Sequence, residues 1–433
     1  MIKKILKNFT LVASGNIIVS IFSVFILFFN VNNLGKDFFG LLAIFTTSII
    51  IVDRLFTVDM WQQIIKFGNT YYLKKNYNKF RDIYTFCFVN EFILSILSFV
   101  TANIFLYIAF KIINFSIEYL TLGQIFSLSL IFRGSNSSIG ILRIFNKFNL
   151  ITFNQIFFSF ITLLITFYFW LFNIKFKYYI YLYLIIFSFE HIFYNLISFT
   201  LWVKKKKPSL FKIDLNNKKL FLSVYKFSFS GWMVSTLSTI KNFDIHIISF
   251  FFDIGSAGIY KFATSLASFS VKLSTPLQQV VFPEISYLFV KKQLNKLKKI
   301  LHHVINYGII YVLIITLFII NFGDEITILI GGEEFKHAAS LLIILTLSTS
   351  IRAAGFFIRP TILIGISHKT YLKNFIFSFL FFIYFIIIGI FDENLILVCF
   401  AHVIFDVTHY IYGIVVLKRY SLISFKKYNI FFK

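Results

Sequence analysis

Runs of about twenty residues with scarcely a charge recur along the whole of this 433-residue chain, and they leave it few ways to fold. A helix needs roughly 20 mainly apolar residues to cross the hydrocarbon of a bilayer, and backbone exposed to lipid must satisfy its own hydrogen bonds. The runs are too long and too uniformly apolar for the alternating strands of a membrane barrel. With 58% hydrophobic and 14% charged residues and a mean hydropathy of +0.82, the chain lacks the polar surface of a soluble domain. The expected fold class is all-α: a polytopic membrane protein of about twelve transmembrane helices.

The twelve spans are expected at 9–31, 38–61, 83–110, 117–140, 149–172, 179–202, 222–249, 256–285, 299–322, 337–365, 371–391 and 394–417. The N-terminus, with Lys3, Lys4 and Lys7 ahead of an apolar stretch, reads as a first span rather than a cleaved signal. Cys87 and Cys399 both lie in apolar runs, far apart, and read as small buried residues rather than a disulfide.

A net charge of +24 suggests nucleic acid in a soluble protein, but here the placement of Lys and Arg explains it without such a partner. Of the 42 basic residues, 30 fall on one side of the predicted spans, 5 on the other and 7 within them. The positive-inside bias then puts both termini in the cytoplasm. Acidic residues such as Asp324, Glu325, Glu333, Glu334, Asp392 and Glu393 collect on the opposite side. No loop is large enough for a soluble catalytic domain. That disfavours a membrane enzyme.

The chain also repeats itself. Gly40-Leu-Leu-Ala43 is followed by Gln62-Gln63 and by the pair Lys74-Lys75; Gly258-Ile-Tyr-Lys-Phe-Ala263 is followed by Gln278-Gln279 and Lys291-Lys292. The ordered series implies two six-helix halves of like orientation, related by an axis along the membrane normal. The expected organisation is an N-terminal lobe at 1–203, a basic cytoplasmic linker at 204–219, a C-terminal lobe at 220–417 and a basic tail at 418–433.

Charge inside a span is costly and marks a functional site by default. Seven cations fall there: Arg54, Arg133, Lys241, Lys261, Lys272, Arg352 and Arg359. Lys261 and Lys272 are eleven residues apart, almost three turns, and share a stripe with Ser265 and Ser268. Arg352 and Arg359 stand about two turns apart, with Gly355 between them. Together the seven imply a cationic central cavity between the lobes that accepts an anionic headgroup; structural ion pairing or snorkelling to the interface is the competing account, favoured for Lys261 and Arg359. The carboxylates Asp53, Asp59 and Asp244 either couple transport to H⁺ or Na⁺ or neutralise nearby cations, Lys241 with Asp244 among them. Glu190-His191 lies in span six, and His402, Asp406 and His409 form a polar stripe suited to bonding between helices. No phosphate-binding glycine loop and no metal motif is present, so no cofactor and no catalytic residue is expected.

Four segments carry a family resemblance: FNVNNLGKDFFGLLAIFTTSI at 29–49, DIGSAGIYKFATSLASF at 253–269, QQVVFPEIS at 278–286 and FGDEITILIGGEEFKHAASLLIIL at 322–345. In this order and spacing they resemble the Wzx-type polysaccharide-biosynthesis flippases of the multidrug/oligosaccharidyl-lipid/polysaccharide exporter superfamily. The resemblance implies a bacterial inner-membrane protein of two V-shaped lobes. It implies transport of an undecaprenyl-diphosphate-linked O-antigen or capsule repeat unit, on the route to lipopolysaccharide or capsule, from the cytoplasmic to the periplasmic leaflet. Membrane lipids and the polysaccharide polymerase and chain-length proteins are the partners it implies. The rival within the superfamily is an ion-coupled multidrug exporter, for which an apolar and acidic cavity is expected; the rival from another class, a membrane enzyme such as an O-antigen polymerase or ligase, calls for a large outward loop that the sequence lacks.

Overall fold

A computed structural model describes residues 2–58, 60–113, 116–204, 221–225, 232–233, 236, 239, 241–290 and 293–423 of the chain. Asp59, nearly all of the 204–219 linker, part of the seventh span and the tail beyond 423 lie outside the described residues. Among the described residues every regular element is helical, and nine helices are long and apolar enough to cross a membrane. The protein is an all-α, multi-pass membrane protein.

Helices among the described residues lie at the predicted spans, some of them longer or broken. Spans one and two run as Ile2–Phe56, divided at Gly35 (φ 66°, ψ 178°). That backbone region is open essentially to glycine alone, so Gly35 lets the chain change direction with no loop. Gly332 (φ 75°, ψ −174°) does the same after the helix Leu294–Gly331. Polar caps start the last two spans: the Ser367 hydroxyl accepts from the Thr370 amide, and Asn394 Oδ1 accepts from Ile396 and Leu397.

The contacts divide the chain into two compact units, Met1–Gly258 and Ile259–Lys433. In the first, the opening helix packs lengthwise on Phe148–Leu171. Gly15 lies directly against Thr152, and Phe28 and Phe29 meet Trp170 with ring centres 5.9 and 5.4 Å apart. Small residues let the backbones approach where no hydrophobic effect drives association.

In the second unit Ala338–Ala354 is the most enclosed span, flanked by Leu294–Gly331 and Leu395–Arg419. Its buried face carries Thr346, Ser348, Thr349 and Ser350, whereas Leu294–Gly331 turns Ile309, Ile310, Leu313, Ile314 and Leu317 outward. Large apolar groups face lipid and small polar ones bond inside the bundle, the inverse of a water-soluble protein. Cys87 and Cys399 are outside any disulfide and fully buried, as expected.

Candidate functional site

A polar cluster in the first unit surrounds a break in the fourth span. The sequence Arg133-Gly134-Ser135 separates the helix Ser129–Phe132 from Asn136–Ile144. Gly134 weakens helix propensity, and Ser135 takes a non-helical conformation (φ −128°, ψ 1°). The Ser135 hydroxyl does not cap its own helix but bonds His191 Nδ1 at 2.6 Å. Neighbouring spans supply further partners. Asn195 Nδ2 donates to the Gly134 carbonyl at 3.1 Å, and its Oδ1 accepts from the Ser138 hydroxyl at 2.7 Å. Tyr84 lies 3.3 Å from Ser138 and 3.0 Å from Ser198, oxygen to oxygen. Irregular backbone at membrane depth is tolerated only where protein supplies such partners.

Arg133 stands in the break itself. Its Nη1 lies 3.4 Å from Asp53 Oδ2, and the guanidinium sits 5.9 Å from the Phe187 ring centre. Asp53 is held in turn by the Thr57 hydroxyl at 2.7 Å. Glu190 lies within electrostatic range of the same guanidinium. A separation of 3.4 Å makes an ion pair without a good hydrogen bond, and Arg133 Nη1 is buried and makes none. The guanidinium therefore keeps hydrogen-bonding capacity for an oxyanion.

Glu91 is the residue that sequence reasoning missed. It is 4% exposed, and its two carboxylate oxygens accept from the Ser137 amide at 3.0 and 2.9 Å, at the start of Asn136–Ile144. The available signal was a lone carboxylate in the apolar third span, which helical phase does not connect to span four.

The other predicted residues of this unit lie elsewhere. Arg54 is half-buried, and its carbonyl accepts from the Thr236 hydroxyl. Lys241 and Asp244 are both buried, and Asp244 Oδ1 caps the amide of Ile245. Close by in sequence, His246 Nε2 bonds the Ser48 hydroxyl at 2.7 Å, with Phe105 and Phe243 against its ring.

In the second unit Lys261 and Lys272 are half-buried on the continuous helix Ile254–Val290, in line with Ser265 and Ser268. The Lys272 ammonium lies 4.4 Å from the Phe269 ring centre. Arg352 and Arg359 are exposed, and the two-turn spacing assigned to them needs correction. The helix stops at Ala354 and resumes at Ile358, so no unbroken helix relates the pair. Gly355, in the gap, packs on the Tyr410 ring. Two residues of the predicted stripe on the last span, His402 and Asp406, bond between helices through their side chains, and His409 does so through its backbone. His402 Nε2 meets the Tyr260 hydroxyl at 2.8 Å, Ser348 donates to Asp406 at 2.6 Å, and Asn374 donates to the His409 carbonyl.

Among the described residues no group of three or more His, Cys, Asp or Glu is placed to hold a metal ion. No protein-family model matches the chain, and no curated protein is similar to it in sequence. Solved structures are similar in fold. An inward-facing multidrug resistance MATE family transporter of the MOP superfamily aligns with a TM-score of 0.73 at 13% identity, over 93% of this chain and 94% of that one. The lipid II flippase MurJ, in an inward closed conformation, gives 0.68 at 17% identity, over 96% and 88%. A MOP superfamily transporter from Pyrococcus furiosus, described as having a binding pocket of reverse polarity, gives 0.68 at 13% identity, over 97% and 95%. The chain has the fold of these transporters.

Proposed function

We propose that this protein is a flippase. It moves undecaprenyl-diphosphate-linked oligosaccharide repeat units, of O-antigen or capsule, from the cytoplasmic to the periplasmic leaflet of a bacterial inner membrane. Both termini are cytoplasmic, and the two six-helix lobes, joined by the basic linker, exchange access to a cationic cavity. The protein carries no chemical reaction. The observation that supports this reading best is Arg133, a guanidinium held at a helix break inside a span with hydrogen-bonding capacity left over. Arginine binds diphosphate through charge-assisted hydrogen bonds, whereas a cationic drug gains nothing from seven intramembrane Lys and Arg. The fold likeness to a lipid II flippase agrees with a lipid-linked cargo. An inward-negative potential favours outward movement of an anion by about 2.3 kcal/mol per charge per 100 mV. Coupling to H⁺ or Na⁺ through a membrane carboxylate adds to that force.

A strain lacking the gene tests the proposal. It is expected to accumulate a lipid-linked single repeat unit in the cytoplasmic leaflet. Accumulation of free sugar nucleotide alone indicates an enzyme and overturns it.

A further inference from the structure

We infer that Glu91 is a proton-binding site that holds or releases the half-helix Asn136–Ile144. The two oxygens of a buried carboxylate converge on one backbone amide, that of Ser137, at the positive end of a nine-residue helix. The ionised form sets a full negative charge against that positive end. A proton on either oxygen removes the charge and leaves only the weaker acceptors of a neutral carboxyl group, so the cap weakens.

The surroundings transmit that loss. The backbone just before the cap, 133–135, is already non-helical, and a methyl at Gly134 would lie 3.2 Å from the Ser95 hydroxyl and in ordinary contact with Glu91. The half-helix is thus joined to the rest of its span by a hinge and fastened at its start by Glu91. At its far end Arg143 stacks on the Trp61 ring at 4.1 Å, which ties the half-helix to the segment from Met60.

Other titratable groups surround the site. Tyr84 and Cys87, on the Glu91 helix, are within electrostatic range of the carboxylate. From the broken span comes Arg133, paired with Asp53 of the first helix; from Phe176–Lys204 come Glu190 and His191, the latter on Ser135. Those groups bear on Arg133 and Ser135, before the hinge ends. Glu91 bears on Ser137, beyond it. Use of this proton to drive cargo rests on the flippase reading; the proton site does not.

Hydrogen–deuterium exchange on the full-length protein in nanodiscs, without cargo, tests the inference. After correction for the intrinsic pH dependence of exchange, amides 137–141 are expected to lose protection as pH falls, by roughly tenfold, the scale of one lost cap. Glu91→Gln is expected to show the low-pH protection at every pH, and Glu91→Asp to restore a pH response. Wild-type protection that does not change with pH overturns the inference, as does a wild-type response in Glu91→Gln. Loss of the response in His191→Gln moves the proton to His191, and a response to Na⁺ at constant pH in place of one to protons reassigns the site to a metal cation. Either result also overturns it. None of these outcomes depends on which cargo is carried.

Discussion

Gly40 and Gly258 meet backbone to backbone. A methyl built on Gly40 lies 3.1 Å from the Gly258 amide nitrogen, and one built on Gly258 lies 3.1 Å from the Gly40 amide nitrogen. Each methyl would also fall on a carbonyl oxygen, of Ile254 and Lys36 respectively. These are the two glycines that open the copies of the sequence repeat, so the corresponding positions are also partners in space. Backbone cannot retreat as a flexible side chain can, and Gly40→Ala or Gly258→Ala is expected to cost about 2 kcal/mol or more. Thermal unfolding of the purified protein measures it. Gly323→Ala is the control, because its methyl would meet only Ile319 and Ile343 at 3.6 and 3.8 Å.

Arg133→Ala is expected to reduce surface polysaccharide strongly at unchanged protein level. It removes the oxyanion donor and leaves Asp53 without this partner in the span. Arg133→Lys keeps the charge but loses the planar fork and the contact with Phe187, so partial activity is expected. Full activity in Arg133→Ala, read by polysaccharide staining against a blot, removes this residue from cargo binding.

Lys272→Ala, Arg54→Ala and Arg352→Ala are each expected to lower surface polysaccharide without lowering protein. Arg352 is exposed and Lys272 half-buried over Phe269. Both can therefore be removed without opening a core cavity. Wild-type polysaccharide from all three variants ends the cationic-cavity model.

In the second unit, Ser348→Ala removes the donor to the buried Asp406 and is expected to cost about 1 kcal/mol, the usual scale for a hydrogen bond between membrane helices. Asp406→Ala is expected to cost more, since it also empties space in the bundle core. Thermal unfolding measures both against the wild-type protein, and wild-type stability in Ser348→Ala would show that the bond contributes nothing.

The spans were legible because period and length in an apolar run leave one solution, the helix. Gly35 and Gly332 end helices at positions where only glycine fits the backbone, and the polar bonding of His402 and Asp406 follows from their four-residue spacing. What failed is instructive in the same terms. Helical phase assumes an unbroken helix, and it placed Arg352 and Arg359 on one face although Gly355 interrupts the turn between them. Arg133-Gly134-Ser135-Asn136 has the composition of a turn, yet lies in a run long enough to span, and length prevailed in the reading. Glu91 needed knowledge of which span lies beside which, and one sequence holds no such information. The same ignorance kept Ser48 and His246 apart, 198 residues from one another along the chain.

Both native thiols are sealed inside the helical bundles, each with no measurable exposure. The wild-type chain is therefore silent toward bulky maleimide reagents while folded. A reporter cysteine can be placed at exposed Lys74 or at exposed Lys175 on a background that needs no prior removal of Cys87 or Cys399. Labelling of intact cells then reads sidedness directly. Modification at 175 with protection at 74 is the pattern that cytoplasmic termini require.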